Sequence, residues 1–212
     1  SMTQLKDEQL VLIRGSGADL NHYQYLPEPP APPIVVTMAA RLLRDKGVRE
    51  FVSAARLAKA QGRDDIIWQL AGSPDPGNPA SISEQELAQW QREIRYLGEV
   101  EDIAELYSQS HIVTLPSYRE GLPKSLVEAA ACGRAVVTTD VPGCRDAIES
   151  GVTGFLVEVC DAEALYEAVL KLADDEELRQ SMGRAGHQLA LEEFDEKLIA
   201  NKQVALYQAL LA

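Results

Sequence analysis

The sequence predicts an α/β protein built on a Rossmann-like, doubly wound parallel sheet with extra helices at its C-terminal end. Two observations carry this prediction: short β-rich runs alternate with amphipathic helical stretches along most of the chain, and that alternation stops near residue 176, beyond which only helical patterns remain. The strand candidates are 34–38, 66–71, 112–115, 135–139 and 154–157, and they read as buried parallel strands. Between them the helical candidates fall at 48–61, 83–94, 102–108, 123–132 and 162–173, which implies right-handed βαβ crossovers.

The first element is not part of the sheet. Residues 1–33 lack periodicity and are rich in turn formers, with Gly15-Ser16-Gly17 followed by Pro27, Pro29, Pro30, Pro32 and Pro33, so they read as a linker. Ser1 ahead of Met2 is the pattern that a cleaved expression tag leaves, which suggests an excised piece of a longer protein. At the other end, two helical stretches are separated near Phe194-Asp195, with Asp195 suited to cap the second. A sheet domain needs neither to complete its crossovers, and the last reads as a strut for something outside this sequence. The expected organisation is a tag scar and linker over 1–33, a binding domain over 34–193, and a final helix over 194–212.

Composition excludes several classes. The 212 residues are 46% hydrophobic and 25% charged, and the longest apolar runs fall short of a membrane span, so a soluble domain is expected. A formal charge of -13 with no basic stripe makes nucleic acid an unsuitable partner. Cys132, Cys144 and Cys160 are odd in number, show no C-x-x-C spacing and sit in or beside apolar stretches, as buried free thiols do; a reducing cytoplasm fits them. His22, His111 and His187 are scattered, and no D-x-D pair is present to hold a divalent ion, so no protein-bound metal is expected. His111 opens an apolar strand and reads as structural.

In an open sheet of this kind, ligands sit beyond the carboxyl ends of the strands. The loops to inspect are those after Met38, Ala71, Leu115 and Thr139. The third begins Ser117-Tyr118-Arg119-Glu120-Gly121-Leu122-Pro123-Lys124-Ser125 and runs into a helix carrying Glu128. Pro123 suits the first helical position, which would leave the N–H groups of Lys124, Ser125 and Leu126 free to meet an anion. The helix dipole adds roughly 0.3–1 kcal/mol for an exposed charge. Glu120, just before the helix, is placed to accept hydrogen bonds from the vicinal hydroxyls of a sugar, and Glu128 to face a second polyol such as a ribose. Taken singly, Glu120 also fits a solvated loop and Glu128 an ordinary helix face. However, the apolar or small neighbours Val127 and Ala129 to Cys132 mean that a carboxylate at Glu128 needs partners.

Two carboxylates beside an anion site repel a diphosphate unless cations intervene. Arg41 and Lys46, in the loop after the first strand, can reach the same crevice; an Arg grips two phosphate oxygens while a Lys acts as a point charge. By itself this loop also reads as a basic, solvated helix approach.

These residues together resemble a known family, the C-terminal, donor-binding domain of GT-B retaining glycosyltransferases of the glycogen-synthase-like, bacterial polysaccharide-assembling type. The resemblance runs from Arg14-Gly15-Ser16-Gly17-Ala18-Asp19, similar to the interdomain linker, to the final helix. Its most specific element is the glutamate, seven residues, glutamate motif of Glu120 and Glu128. Arg41 with Lys46, the segment from Gly98 to Asp102, and Val136 to Gly143 also resemble family blocks.

The resemblance implies a catalytic set of Arg41, Lys46 and Glu120, with the two cations neutralising the donor diphosphate in place of a metal. It implies that Glu120 and the Gly121-Leu122 backbone hold the donor hexose, with Lys124 and Ser125 at the helix start. Glu128 would bind ribose hydroxyls, Leu97 and Val100 would lie against the base, and Gly72 would sit in a neighbouring loop. Without the family, Gly72 also fits tight packing, Val100 the core, and Asp140-Val141-Pro142-Gly143 a plain strand-to-helix turn. The implied reaction moves a hexose or N-acetylhexosamine from a UDP-sugar to a saccharide acceptor, with retention and no cofactor. The wording around Glu120 is similar to capsule and O-antigen enzymes, which implies a lipid-diphosphate-linked acceptor at the cytoplasmic membrane face. The N-terminal domain of such an enzyme would be the missing partner, and the final helix would cross back to it. A GT-B epimerase, a phosphorylase and a non-catalytic sugar-nucleotide-binding domain are the competing readings. An epimerase needs acid and base groups for proton exchange, and a phosphorylase needs a lysine for pyridoxal phosphate.

Overall fold

The computed structural model describes residues 15–211 together with Val11 and Ile13. Arg14 of the linker block and the Ser1-Met2 pair lie outside the described residues. Six strands form one parallel sheet in the order β3-β2-β1-β4-β5-β6. They are β1 (Ile34–Ala39), β2 (Ile66–Ala71), β3 (Arg95–Gly98), β4 (Ile112–Leu115), β5 (Ala135–Thr139) and β6 (Gly154–Val157). This is the doubly wound order: the chain steps outward from β1 to β3, then returns to lay β4 on the other side of β1. The expected fold class is therefore present. The sixth strand, β3, is an addition to it. It pairs only with β2, is half-solvated, begins at Arg95 and ends at Gly98, so it carries none of the apolar run that marks a central strand.

The helices are α1 (Val48–Ala60), α2 (Glu84–Trp90), α3 (Ile103–Ser108), α4 (Lys124–Ala131), α5 (Pro142–Ala147), α6 (Ala162–Asp174), α7 (Glu176–Glu193) and α8 (Glu196–Leu211). Helix α2 starts at a capping box, with Ser83 and Glu86 satisfying each other's backbone N–H groups. It stops at Trp90, whose carbonyl takes the N–H groups of both Glu93 and Ile94, so the predicted extension to 94 is a turn. Helix α5 was not among the helical candidates; Pro142 opens it within the stretch expected as a strand-to-helix turn. Helix α1 packs against α6, and α4 against α7. The inward face of α1 places Phe51 edge-on against Trp68 of β2, with ring centroids 5.2 Å apart. Burying a side chain such as Phe51 stabilises the fold by roughly 1.5–3 kcal/mol.

The described part of the linker segment packs along the domain. Ala18 donates to Phe194 O at 2.8 Å and accepts from Glu196 N at 3.1 Å, which fastens the segment to the α7–α8 junction. Farther on, Glu28 meets Arg179 of α7 through bonds of 3.0–3.2 Å, with both side chains almost wholly out of water. The fully buried Arg134 donates to Tyr107 O and Leu26 O, each at 2.9 Å.

His111 has the structural role expected of it. Its Nδ1 accepts from Val35 N at 3.0 Å, so the ring proton sits on Nε2, 3.1 Å from Pro29 O. Burial holds the imidazole below its ordinary pKa, helped by Arg179 and Arg134 and opposed by Glu28. The unfolded chain then binds the proton first, so the stability linked to this group is complete above about 6.5 and declines as pH falls below it. His111→Gln cannot titrate. The stability difference between wild type and His111→Gln, from urea midpoints, is expected to shrink as pH falls from about 7.5 to about 5.5; a pH-independent difference would remove the ring from the acid response.

Cys132 and Cys144 are buried, and burial pushes the Cys132 thiol up to about 12. Cys160 corrects the expectation of burial: it is exposed, in a left-handed backbone conformation (φ 62°) in the turn where the chain leaves β6. His187 bonds to Ala131 O at 2.7 Å and so ties α7 to α4. Asp195 accepts from Lys197 N at 2.9 Å and opens α8 as predicted. Of α8 only Ile199 is buried, whereas Val204, Tyr207, Leu210 and Leu211 face outward. Among the described residues no helix is long and apolar enough to cross a membrane.

Candidate functional site

The crevice opens where the strand order reverses, at the carboxyl ends of β1 and β4. Two loops meet there. The loop after β1 folds into a short 3-10 turn, Arg44–Lys46, and the loop after β4 is laced onto it. Ser117 Oγ and Tyr118 N both donate to Asp45 O, at 2.9 and 2.8 Å. The Thr139 hydroxyl of β5 in turn donates to Ser117 O. From the far side, the start of α5 lies directly on the Glu120-Gly121 backbone. A Cβ at Gly143 would fall 1.5 Å from Gly121 O and 2.6 Å from Glu120 O, so only glycine allows this approach. These contacts bring Lys46 Nζ to 2.6 Å from Glu120 Oε1, with side-chain exposures of 19% and 10%.

Pro123 is the cap of α4 rather than its first helical residue, with an extended backbone at ψ 117°. One consequence changes the expected anion site. Leu126 N bonds to Pro123 O at 3.1 Å and is spent, so the open N–H groups at the helix start are those of Lys124 and Ser125. One turn along, Glu128 is buried, and Lys124 Nζ stands 3.7 Å from its Oε1. Burial raises the pKa of Glu128; interactions with the Tyr23 phenol and with Lys124 work the other way. Tyr23 thus joins Lys124 in steadying the buried Glu128, and it comes from the linker segment rather than from a loop at the strand ends.

A cavity of about 530 Å³ is lined by Arg41, Gly72, Val100, Ser125 and Glu128 among others. A second, of about 220 Å³, is lined by Arg41, Lys46, Glu120, Lys124 and Ser125. They share Ala39, Ala40, Arg41 and Ser125, and so form two ends of one groove. Gly72 is needed there for close approach: its φ is 130°, and a Cβ would meet Ala40 O at 1.9 Å. Leu97 is not brought into this groove; it lines a separate cleft of about 720 Å³ beside Val35 and Ile67, with Val100 on the boundary between the two. Gly121 and Leu122 line neither end. Gly121 is exposed, and Leu122 packs against the core.

Several groove residues escaped the sequence reading. Asp75 lies 3.5 Å from Arg41, whose side chain is 69% exposed and free to swing. Ser73 Oγ donates to Glu99 Oε2 at 3.4 Å, and the buried Tyr107 lines the same end of the groove as Glu128. The loop after β2 was a candidate by position, which is the signal for Ser73 and Asp75. Glu99 directly follows β3, in the segment from Gly98 to Asp102 that the sequence marked only as a block, and Tyr107 belongs to α3. Chemically, the groove offers three cations and two open N–H groups to an anion, between carboxylates that can accept from hydroxyls.

Residues 26–189 match the family described as Glycosyl transferases group 1. The chain is 37% identical over 177 residues to N,N'-diacetylbacillosaminyl-diphospho-undecaprenol alpha-1,3-N-acetylgalactosaminyltransferase of Campylobacter jejuni, covering 84% of this chain and 45% of that protein. It therefore spans about half the length of the relatives it matches. In fold it is similar to a glycosyltransferase from Rickettsia africae, with a TM-score of 0.81 at 23% identity, covering 98% of this chain and 59% of that one. It is also similar to Anabaena Alr3699/HepE, solved in complex with UDP-glucose, with a TM-score of 0.78 at 24% identity, covering 96% and 58%. By the family match over most of its length, this chain belongs to the group 1 glycosyltransferases.

Proposed function

We propose that this chain is the donor-binding half of a retaining glycosyltransferase that moves a hexose or N-acetylhexosamine from a UDP-sugar to a saccharide acceptor. The observation that carries the reading is one continuous groove in which Arg41, Lys46 and the open N–H groups of Lys124 and Ser125 lie between Glu120 and Glu128. The diphosphate occupies the cationic middle. The hexose lies toward Glu120, and the ribose toward Glu128 with the base near Gly72 and Val100. When the bond from sugar C1 to the diphosphate breaks, negative charge grows on the leaving group. Arg41, Lys46 and the helix start hold that charge more strongly as it develops, which lowers the barrier. Because protein cations meet the diphosphate, donor binding needs no metal.

The domain plan proposed is a linker through residue 33, the donor domain over 34–193, and a final helix over 194–212 that returns to an N-terminal acceptor domain. The outward-facing Val204, Tyr207, Leu210 and Leu211 support that role for the helix. A lipid-diphosphate-linked acceptor is proposed on the strength of the diphospho-undecaprenol substrate named for the Campylobacter relative. Such an acceptor would be met from the cytoplasm, at the inner membrane face, which is the location proposed for the full-length protein. In the full-length protein, UDP release from a UDP-sugar is expected only when a lipid-diphosphate-linked saccharide is supplied. Release that ignores the acceptor, or none with any UDP-sugar, would refute the transferase reading.

A further inference from the structure

The shortest ion pair in the groove joins the two groups that the proposed function gives to different parts of the donor. Lys46, assigned to the diphosphate, and Glu120, assigned to the hexose, meet at 2.6 Å, largely out of water. The other cations of the groove also have internal partners, Arg41 with Asp75 at 3.5 Å and Lys124 with Glu128 at 3.7 Å. Their own side chains are 69% and 65% exposed, so water screens those contacts and they yield easily. Lys46–Glu120 is the contact that an incoming diphosphate must disturb.

We propose that Glu120 is a built-in competitor for Lys46, so that the site favours a nucleotide bearing its sugar over the bare nucleoside diphosphate. This inference rests on the donor-site reading above. An ionised carboxylate and a phosphate are both acceptors only, so they cannot hydrogen-bond to each other and can only share or contest a cation. Sugar hydroxyls resolve the contest: they donate to Glu120 and replace what it loses when Lys46 turns to the diphosphate. A bare nucleoside diphosphate brings no such donors. Glu120 then keeps Lys46, or stays beside a phosphate with nothing in return. Once the sugar has been transferred, Glu120 is again without hydroxyl partners and draws Lys46 away from the diphosphate. The same carboxylate thus helps hold the donor and helps expel the product.

The test is a calorimetric titration of this chain with UDP, in wild type, Glu120→Gln, Lys46→Ala and the double variant. Glutamine keeps the shape and a neutral acceptor, which holds an ammonium more weakly than a carboxylate does. Glu120→Gln is expected to tighten UDP about tenfold, equivalent to about 1.4 kcal/mol. In the Lys46→Ala background the same change is expected to shift affinity by less than about twofold, as coupling through Lys46 requires. UDP binding no tighter in Glu120→Gln than in wild type would overturn the inference and leave the donor-site reading standing. An equal gain with and without Lys46 would also overturn it, since that is plain charge repulsion. Absence of UDP binding in every variant would instead remove the donor-site reading, and this inference with it.

Discussion

Transfer by the full-length protein is expected to fall at least about a hundredfold when Lys46 is replaced by alanine, equivalent to about 3 kcal/mol of lost transition-state stabilisation. The size follows from where the charge sits. Lys46 is fixed by the 3-10 turn, by the lacing of Ser117 and Tyr118 onto Asp45, and by a setting in which only 19% of its side chain meets water. A preorganised cation of this kind acts on charge that develops during bond cleavage, so the loss should appear in kcat more than in KM. Arg41 is a poor substitute because it is mostly exposed and already near Asp75. Acceptor-dependent UDP release is the readout, and turnover within about threefold of wild type would remove Lys46 from the reaction.

The second large effect concerns stability. Glu28→Ala is expected to lower the unfolding free energy by about 3–5 kcal/mol, because it strands the Arg179 guanidinium, 2% exposed, without its counter-charge. Its remaining bonds, to Leu172 O at 2.7 Å and Ala173 O at 3.4 Å, do not neutralise the charge. Urea denaturation monitored by circular dichroism measures the change. A loss below about 1 kcal/mol would mean that α7 shifts to expose Arg179. The same pair shows that the segment before the sheet is part of the domain's stability, since it fastens residues 24–33 to α7.

The parts of this fold that were legible share a physical origin. Strands β1, β2, β4 and β5 are recognisable because burial on both faces leaves an apolar run in the sequence, and the edge strand β6 because it keeps the apolar run Phe155-Leu156-Val157. Strand β3 was not, because an edge strand half in water keeps Arg95 and needs no such run. Helix α5 was hidden behind Val141-Pro142-Gly143, where proline and glycine suggest a turn; the proline starts a helix and the glycine serves close contact with Glu120-Gly121. Pro123 misled by one position, because proline fits both the cap and the first helical residue, and the difference decides whether Leu126 N is free.

In the site, a local pattern revealed Glu120 and Glu128, and the basic loop revealed Arg41 and Lys46. What joins Lys46 to Glu120 is long range, across 74 positions, and no local spacing encodes it. The need of Glu128 for a partner was legible from its apolar neighbours, but Tyr23 was not, because a linker tyrosine has no local signal that pairs it with a carboxylate about a hundred positions away. Leu97 and Val100 lie close in sequence and both line the separate cleft, but only Val100, beyond the end of β3, also reaches the groove.

The central claim is that the groove between β1 and β4 holds a nucleoside diphosphate through protein cations and helix N–H groups. Calorimetric titration of this chain with UDP, GDP and ADP, in the presence of a metal chelator, tests it most directly. Saturable one-to-one binding of UDP, stronger than that of GDP or ADP and unchanged when a divalent ion replaces the chelator, is the predicted result. Failure of all three nucleotides to bind, or binding that appears only with a divalent ion, would contradict the account.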